Sequence, residues 1–158
     1  MRVVEKIYMK GATFAMIKPR AVRDHLGDIL KDIVNNGLTI RRMETRKLSE
    51  EEAAFLYAEH RDKSAIYPPL VEYTLSGPVV LLELVYGNNP ASTVQFWRMV
   101  IGSYDIALHR SQDGTPHSPT LRALYGNPEV IRENAVHGSS DEEAARRELG
   151  KFFPADSK

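Results

Sequence analysis

The run Asn134-Ala135-Val136-His137-Gly138-Ser139-Ser140-Asp141-Glu142-Glu143 sets a histidine at the end of a short apolar segment, just before a helix start. Ser139/Glu142 and Ser140/Glu143 both have the spacing of a capping box, in which a hydroxyl and a carboxylate each satisfy an orphan backbone amide. An imidazole placed there lies at the positive end of a helix dipole, where free N–H groups can receive an anion. A neutral ring nitrogen is a nucleophile, and the same field would welcome phosphoryl charge after attack. Glu148 stands beside Leu149 at the edge of the stripe this helix would bury, and it can bond the second ring nitrogen and fix the tautomer. Its charge and the helix amides act on the ring in opposite senses. The chemistry suggested is phosphoryl transfer through a covalent histidine. A structural or solvated histidine before a helix is the plainer alternative.

Most other routes are closed. The chain has no cysteine, which excludes a thiol nucleophile, a disulfide framework, an iron–sulfur cluster and a cysteine-type zinc site. No G-x-x-x-x-G-K-[ST], G-x-G-x-x-G, H-E-x-x-H, EF-hand loop or G-x-S-x-G occurs. With 21 Lys+Arg against 21 Asp+Glu the formal charge is zero, so any affinity for a polyanion must come from a few cations gathered in one place. Basic pairs such as Arg41-Arg42 and Arg146-Arg147 are dispersed, and the second is offset by Glu142, Glu143 and Glu148, the pattern of a solvated helix face. Nucleic acid is therefore not an expected partner. The longest apolar run, Val79 to Leu82 resumed by Leu84 to Tyr86, has the length of a buried strand, far short of the roughly 20 residues of a membrane span. Glu5, Lys6 and Lys10 interrupt the opening residues, so no secretory leader is expected and a cytoplasmic protein is.

The elements that must position these groups follow from periodicity. The 158 residues suit one domain spanning 1–158, with a core over about 11–153. Residues 11–18 read as a buried strand stopped by Pro19, and Leu26, Ile29, Leu30, Ile33 and Val34 as the stripe of a helix ended by Asn35-Asn36-Gly37. Residues 38–46 suggest a half-exposed strand. Ser49 and Glu52 form a capping box that opens a helix to about His60, and a second helical patch carries Leu70, Val71 and Tyr73 before Ser76-Gly77-Pro78. VVLLELVYG is the most apolar strand, followed by a helix over 91–101 and a polar loop over 103–119. A short strand near 133–137 and a helix over 140–153, burying Ala145, Leu149, Phe152 and Phe153, complete the chain, with a frayed tail from Pro154. The order β-α-β-α-α-β-α-loop-β-α fits an α+β fold, a ferredoxin-like split βαβ sandwich with helices on one face of a four-stranded, mainly antiparallel sheet.

ATFAMIKP, Tyr57-x-x-His60, LVEYTLSGPVV, Arg98-x-x-x-Gly102, PTLR before Tyr-Gly, and NAVHGSSDEEAARREL occur in an order and spacing that resemble the nucleoside diphosphate kinase family from about residue 12 to 153. The resemblance implies reversible, ping-pong transfer of a γ-phosphoryl group from a nucleoside triphosphate to a nucleoside diphosphate through a phosphohistidine on His137. It implies Mg2+ carried on the nucleotide phosphates, with no protein side chain as its ligand, and a homo-oligomer, tetramer or hexamer. Residue by residue, it implies that Glu148 orients His137, that Lys18 lies near ribose and phosphate, and that Arg98 and Arg122 bind phosphate. Tyr57 and His60 would lie near the phosphates, Asn134 would bond a sugar hydroxyl, and Ile66, with Tyr67 beside it, would stand where the base stacks.

The chain departs from the family pattern at several places. Arg20 stands where an Asp usually follows Lys-Pro, Ile66 where an aromatic covers the base, and Tyr104 where a phosphate-contacting Thr is usual. The stretch from Gly102 to Arg122 is longer than usual, which enlarges the 103–119 loop, and Ser140 holds the place of an Asp, with Asp141 next. Two further readings follow from these departures: a catalytically weak member acting as a nucleotide-binding regulatory or interaction module, and a ferredoxin-like interaction module with a fortuitous histidine.

Overall fold

The computed structural model describes residues 11–104 and 120–154; the opening residues, nearly all of the expected 103–119 loop and the tail from 155 lie outside the described residues. Strand β1 (Thr13–Ile17) leads into α1 (Pro19–Asn35), β2 (Leu38–Arg46), α2 (Glu50–Leu56), a 3-10 turn (Ala58–His60) and α3 (Tyr67–Leu75). Then come β3 (Val79–Tyr86), α4 (Thr93–Ile101), α5 (Leu121–Tyr125), β4 (Val136–Gly138) and α6 (Glu142–Phe152), with 3-10 turns at Pro90–Ser92 and Ile131–Glu133.

The four strands lie in the order β2-β3-β1-β4, and all three pairings are antiparallel. This is the α+β sheet expected. Helices cover both faces of it, however, and not one. Ala15, Ile17, Val80, Leu82 and Leu84 pack with Ile29, Ile33, Trp97 and Ile101 on one side. Phe14, Met16, Val79 and Leu81 pack with Tyr57, Leu149 and Phe152 on the other. Every residue of β1 is buried because both of its alternating side-chain sets face a core, which is why β1 and β3 carry the consecutive apolar residues Phe14–Ile17 and Val79–Leu82.

Local chemistry explains most boundaries, including those the periodicity misplaces. Pro19 starts α1 where its missing N–H costs nothing, and Gly37, at φ 86°, turns the chain in the left-handed region once the helix ends. Val34 belongs to the expected stripe yet is 57% exposed. At α2 the capping box forms in full: Glu52 N–H donates to Ser49 Oγ at 3.1 Å, and Ser49 N–H to Glu52 Oε1 at 2.9 Å. The Arg46 guanidinium clasps the same carboxylate and holds its pKa down to about 2. The helix does not run to His60: it stops at Leu56, Tyr57 caps it, and the chain tightens into the 3-10 turn. The last strand begins at Val136, later than expected, because Ile131–Glu133 coil instead. Neither expected capping box opens α6. Asp141 is its cap, accepting from Ala144 N–H at 2.8 Å, a role in which a short carboxylate serves as well as Ser and keeps its charge at the positive helix end. Among the described residues no helix is long and apolar enough to cross a membrane.

Candidate functional site

His137 occupies the middle of β4, paired opposite Met16 of β1. Its ring packs against Phe14, with centroids 5.8 Å apart, and meets the Tyr57 ring edge-on at 6.1 Å. Nε2 lies 2.5 Å from Oε1 of Glu148, which α6 holds almost wholly buried. The imidazole faces a cleft of about 170 Å³ whose walls include Tyr57, Glu59, His60, Ser140 and Arg147. Arg146 and Arg147 are both exposed, as expected of a solvated helix face, and Arg147 edges the cleft and pairs with Glu59 at 3.8 Å; only Glu148, counted among the offsetting charges, turns inward to the histidine.

A strained turn precedes the strand. Ala135 has φ 76°, and Val136 N–H donates to Asn134 O at 3.0 Å, a γ-turn about a non-glycine residue. Such a conformation costs on the order of 1–3 kcal/mol and persists only where its surroundings hold it. Here Lys18 N–H holds it, donating to Ala135 O at 2.8 Å. The turn brings the Asn134 amide to the end of β1, where its Oδ1 accepts from Lys18 Nζ at 2.8 Å.

Lys18 is buried, its Nζ donating also to Arg132 O at 3.3 Å and standing 5.9 Å from the Tyr57 ring centroid. Burial first, and the Arg122 charge second, bring its pKa down to about 7. Arg122, on α5, donates through Nε and Nη2 to Val136 O at 3.3 and 3.1 Å and through Nη1 to Gly102 O at 3.0 Å. Burial, then Arg98, lowers it to about 10. Arg98, on α4, reaches Ser139 O at 3.4 Å. Among the described residues no carboxylate lies within ion-pairing distance of Lys18, Arg98 or Arg122. Three cations, with Arg122 repelling both Lys18 and Arg98 and no counter-charge among the described residues, can receive a polyanion, because like charges are tolerated together only where a ligand or solvent answers them. The Tyr57 hydroxyl adds a buried donor with no partner at hydrogen-bond geometry among the described residues, and burial pushes its pKa upward. Among the described residues no three His, Asp or Glu side chains gather as a metal cluster.

The fold thus groups His137, Glu148, Tyr57 and His60 around the cleft and Lys18, Arg98, Arg122 and Asn134 in a cationic cluster joined to it through Tyr57. Ile66 stands apart, 49% exposed at the cap of α3 and not a wall of the cleft. Tyr104 is 65% exposed, and Arg20 turns to Glu133 at 3.9 Å, with its backbone N–H on the Tyr73 hydroxyl. Reasoning from sequence missed the support beneath the histidine. Trp97 Nε1 donates to His137 O at 3.4 Å, and a Cβ on Gly138 would fall 2.9 Å from Trp97 Cδ1, Trp97 Nε1 and Ile101 Cδ1. The glycine after the histidine was the available signal. Gly138→Ala is expected to force the indole or the strand aside, at about 1–3 kcal/mol. Unfolding followed by fluorescence of Trp97, the chain's one tryptophan, checks this as a fall in Tm of several degrees.

Comparison with known proteins adds four findings. The profile of the family NDK, nucleoside diphosphate kinase, matches residues 11–157. The chain is 37% identical over 149 residues to a thioredoxin domain-containing protein 3 homolog of Ciona intestinalis, covering 94% of this chain and only 22% of that much longer protein. It is 38% identical over 148 residues to a nucleoside diphosphate kinase of Rhodococcus erythropolis, covering 93% of this chain and 97% of the relative. A solved halophilic nucleoside diphosphate kinase from Halobacterium salinarum in complex with CDP has the same fold, with TM-score 0.77 and 34% identity over 92% of this chain and 88% of that one.

Proposed function

The chain belongs to the nucleoside diphosphate kinase family, and on that premise we propose that it moves the γ-phosphoryl group of a nucleoside triphosphate to a nucleoside diphosphate by way of a phosphohistidine on His137. The observation that carries the proposal is a histidine with one nitrogen held by a buried glutamate, set beside three cations that lack a counter-charge among the described residues.

An ionised Glu148 can only accept, so it fixes the hydrogen on Nε2 and leaves the lone pair on Nδ1. Nδ1 attacks the γ-phosphorus. The N–P bond forms as the bond to the β–γ bridging oxygen breaks, and the diphosphate leaves with that electron pair while Glu148 balances the charge on the ring. In the return step a terminal oxygen of an acceptor diphosphate attacks the same phosphorus, the P–N bond breaks, and its electrons return to Nδ1. Little covalent chemistry beyond this is needed, so position and charge carry the rate. Lys18, Arg98 and Arg122 bind the phosphate oxygens, Tyr57 donates its buried hydroxyl to them, and Asn134 bonds the sugar. His60 borders the phosphates, and Ile66 covers the base with an aliphatic face in place of an aromatic one. Mg2+ arrives as part of the nucleotide: a cluster of cations and one amide suits phosphate oxygens, not the ion itself. Assembly as a tetramer or hexamer and a cytoplasmic setting are proposed on the family's account.

Incubation of the folded protein with γ-labelled Mg·ATP tests this. The expected result is an acid-labile label on the protein that any added nucleoside diphosphate discharges. A folded protein that melts at higher temperature with Mg·ADP yet takes up no label would be a nucleotide-binding module, and the enzyme reading would fall.

A further inference from the structure

Arg122 is gripped by two backbone carbonyls from opposite sides, Val136 O at the start of β4 and Gly102 O at the end of α4. The second grip depends on an unusual contact. Gly102 has φ 81°, in the left-handed region, and closes α4 with its N–H on Arg98 O at 3.1 Å. The side chain of Thr120 fills the space above it: a Cβ on Gly102 would meet Thr120 Oγ1 at 2.6 Å, Cβ at 2.7 Å and Cγ2 at 2.9 Å. The Thr120 hydroxyl also caps α5, accepting from Ala123 N–H at 3.4 Å, so the residue that rests on Gly102 also sets the start of the helix that carries Arg122.

We propose that Gly102 and Thr120 are a positioning pair that fixes the Arg122 guanidinium for phosphate. Thr120 packed on the bare Gly102 backbone holds the α4 carbonyl at the depth where Nη1 can bond it. With Nε, Nη1 and Nη2 each spending one N–H on a carbonyl, two of the five guanidinium N–H groups remain for oxyanion, in one fixed plane. Because Arg98 accepts the capping N–H on the last turn of the same helix, the pair sets both arginine-bearing segments at once. The inference rests on Arg122 being a phosphate ligand, as proposed above.

Gly102→Ala is the direct test, since the added methyl meets Thr120 and the left-handed backbone together. Two readouts are used: the Arg122 Nε–H resonance in a 15N spectrum, and the Kd for Mg·ADP. The pair predicts that the sharp, slowly exchanging Nε–H signal of the parent protein is lost in Gly102→Ala and that Kd rises about ten- to a hundredfold. KM for the nucleotide should rise more than kcat falls. If Gly102→Ala does not fold, Thr120→Ala serves, with Kd expected to rise about tenfold and Thr120→Ser expected to restore most of it through the retained cap. A folded Gly102→Ala or Thr120→Ala protein that keeps both the resonance and the Mg·ADP affinity within twofold overturns the inference. If the parent protein shows the Nε–H signal but binds no Mg·ADP, the nucleotide reading has failed, while loss of that signal in the variant still upholds the clamp.

Discussion

Replacing His137 by Gln should abolish acid-labile labelling and lower turnover by roughly a thousandfold or more, while leaving nucleotide binding nearly intact. Gln removes the nucleophilic nitrogen but keeps an N–H able to reach Glu148, so the buried carboxylate is not stranded. Lys18, Arg98 and Arg122 take their bonds from Asn134 and from the carbonyls of Arg132, Ser139, Val136 and Gly102, none of which is the histidine side chain. The variant should therefore still gain melting temperature with Mg·ADP. Retained labelling at the parent level would move the covalent chemistry to another residue and sink the mechanism.

Substituting Lys18 by Met should cost about a hundredfold in kcat, the usual effect of deleting one buried donor to developing oxyanion charge, yet make the protein more stable at pH 7. The reason is the sign of its linkage. In the unfolded chain the ammonium has its ordinary value of 10.5, and in the fold burial and Arg122 bring it down to about 7. Between those values the unfolded chain holds more protons, so this lysine makes stability rise with pH across the window, and its full cost of burial is felt below about pH 7. A bound phosphate reverses the balance by favouring the charged form. Nucleotide binding just above pH 7 should then take up a proton, and affinity should weaken as pH rises toward 9. Calorimetric titration with Mg·ADP in buffers of different ionisation enthalpy measures the uptake. Lys18→Met should show none, and a parent protein with no buffer dependence would remove Lys18 from the phosphate site.

Local sequence carried the framework unevenly. Apolar runs and helical stripes locate β1, β3, α1 and α4, because each segment's burial dictates its own pattern. Coverage of both sheet faces was written in the consecutive apolar residues at Phe14–Ile17 and Val79–Leu82, which alternation on one covered face would not produce. The start of α6 was ambiguous because two capping boxes overlap and a third competent cap, Asp141, follows them. At the site, only His137 and Glu148 are suggested by local chemistry; the family resemblance supplies the other residues. Lys18 shows why. A lysine at a strand end is ordinarily exposed, and the side chain that receives this one's buried ammonium is Asn134, more than a hundred residues away. Ala135 carries no local preference for a positive φ; Lys18 N–H imposes the turn from across the sheet.

The pairing of β1 with β4 also sets an order of events during synthesis. Met16 lies opposite His137, and Lys18 bonds Asn134 across 116 positions, so β1 waits for β4. Contacts of such separation form late, since the loop they close must be ordered first. Until α6 has emerged, Glu148, Leu149 and Phe152 are missing, and with them both the partner of the imidazole and the aromatic floor at Phe14. A growing chain can therefore collapse around β1, β2 and β3 while remaining chemically silent. On the proposed mechanism the imidazole meets phosphate only after synthesis has passed α6, which keeps a half-made chain from trapping nucleotide or carrying a reactive P–N bond.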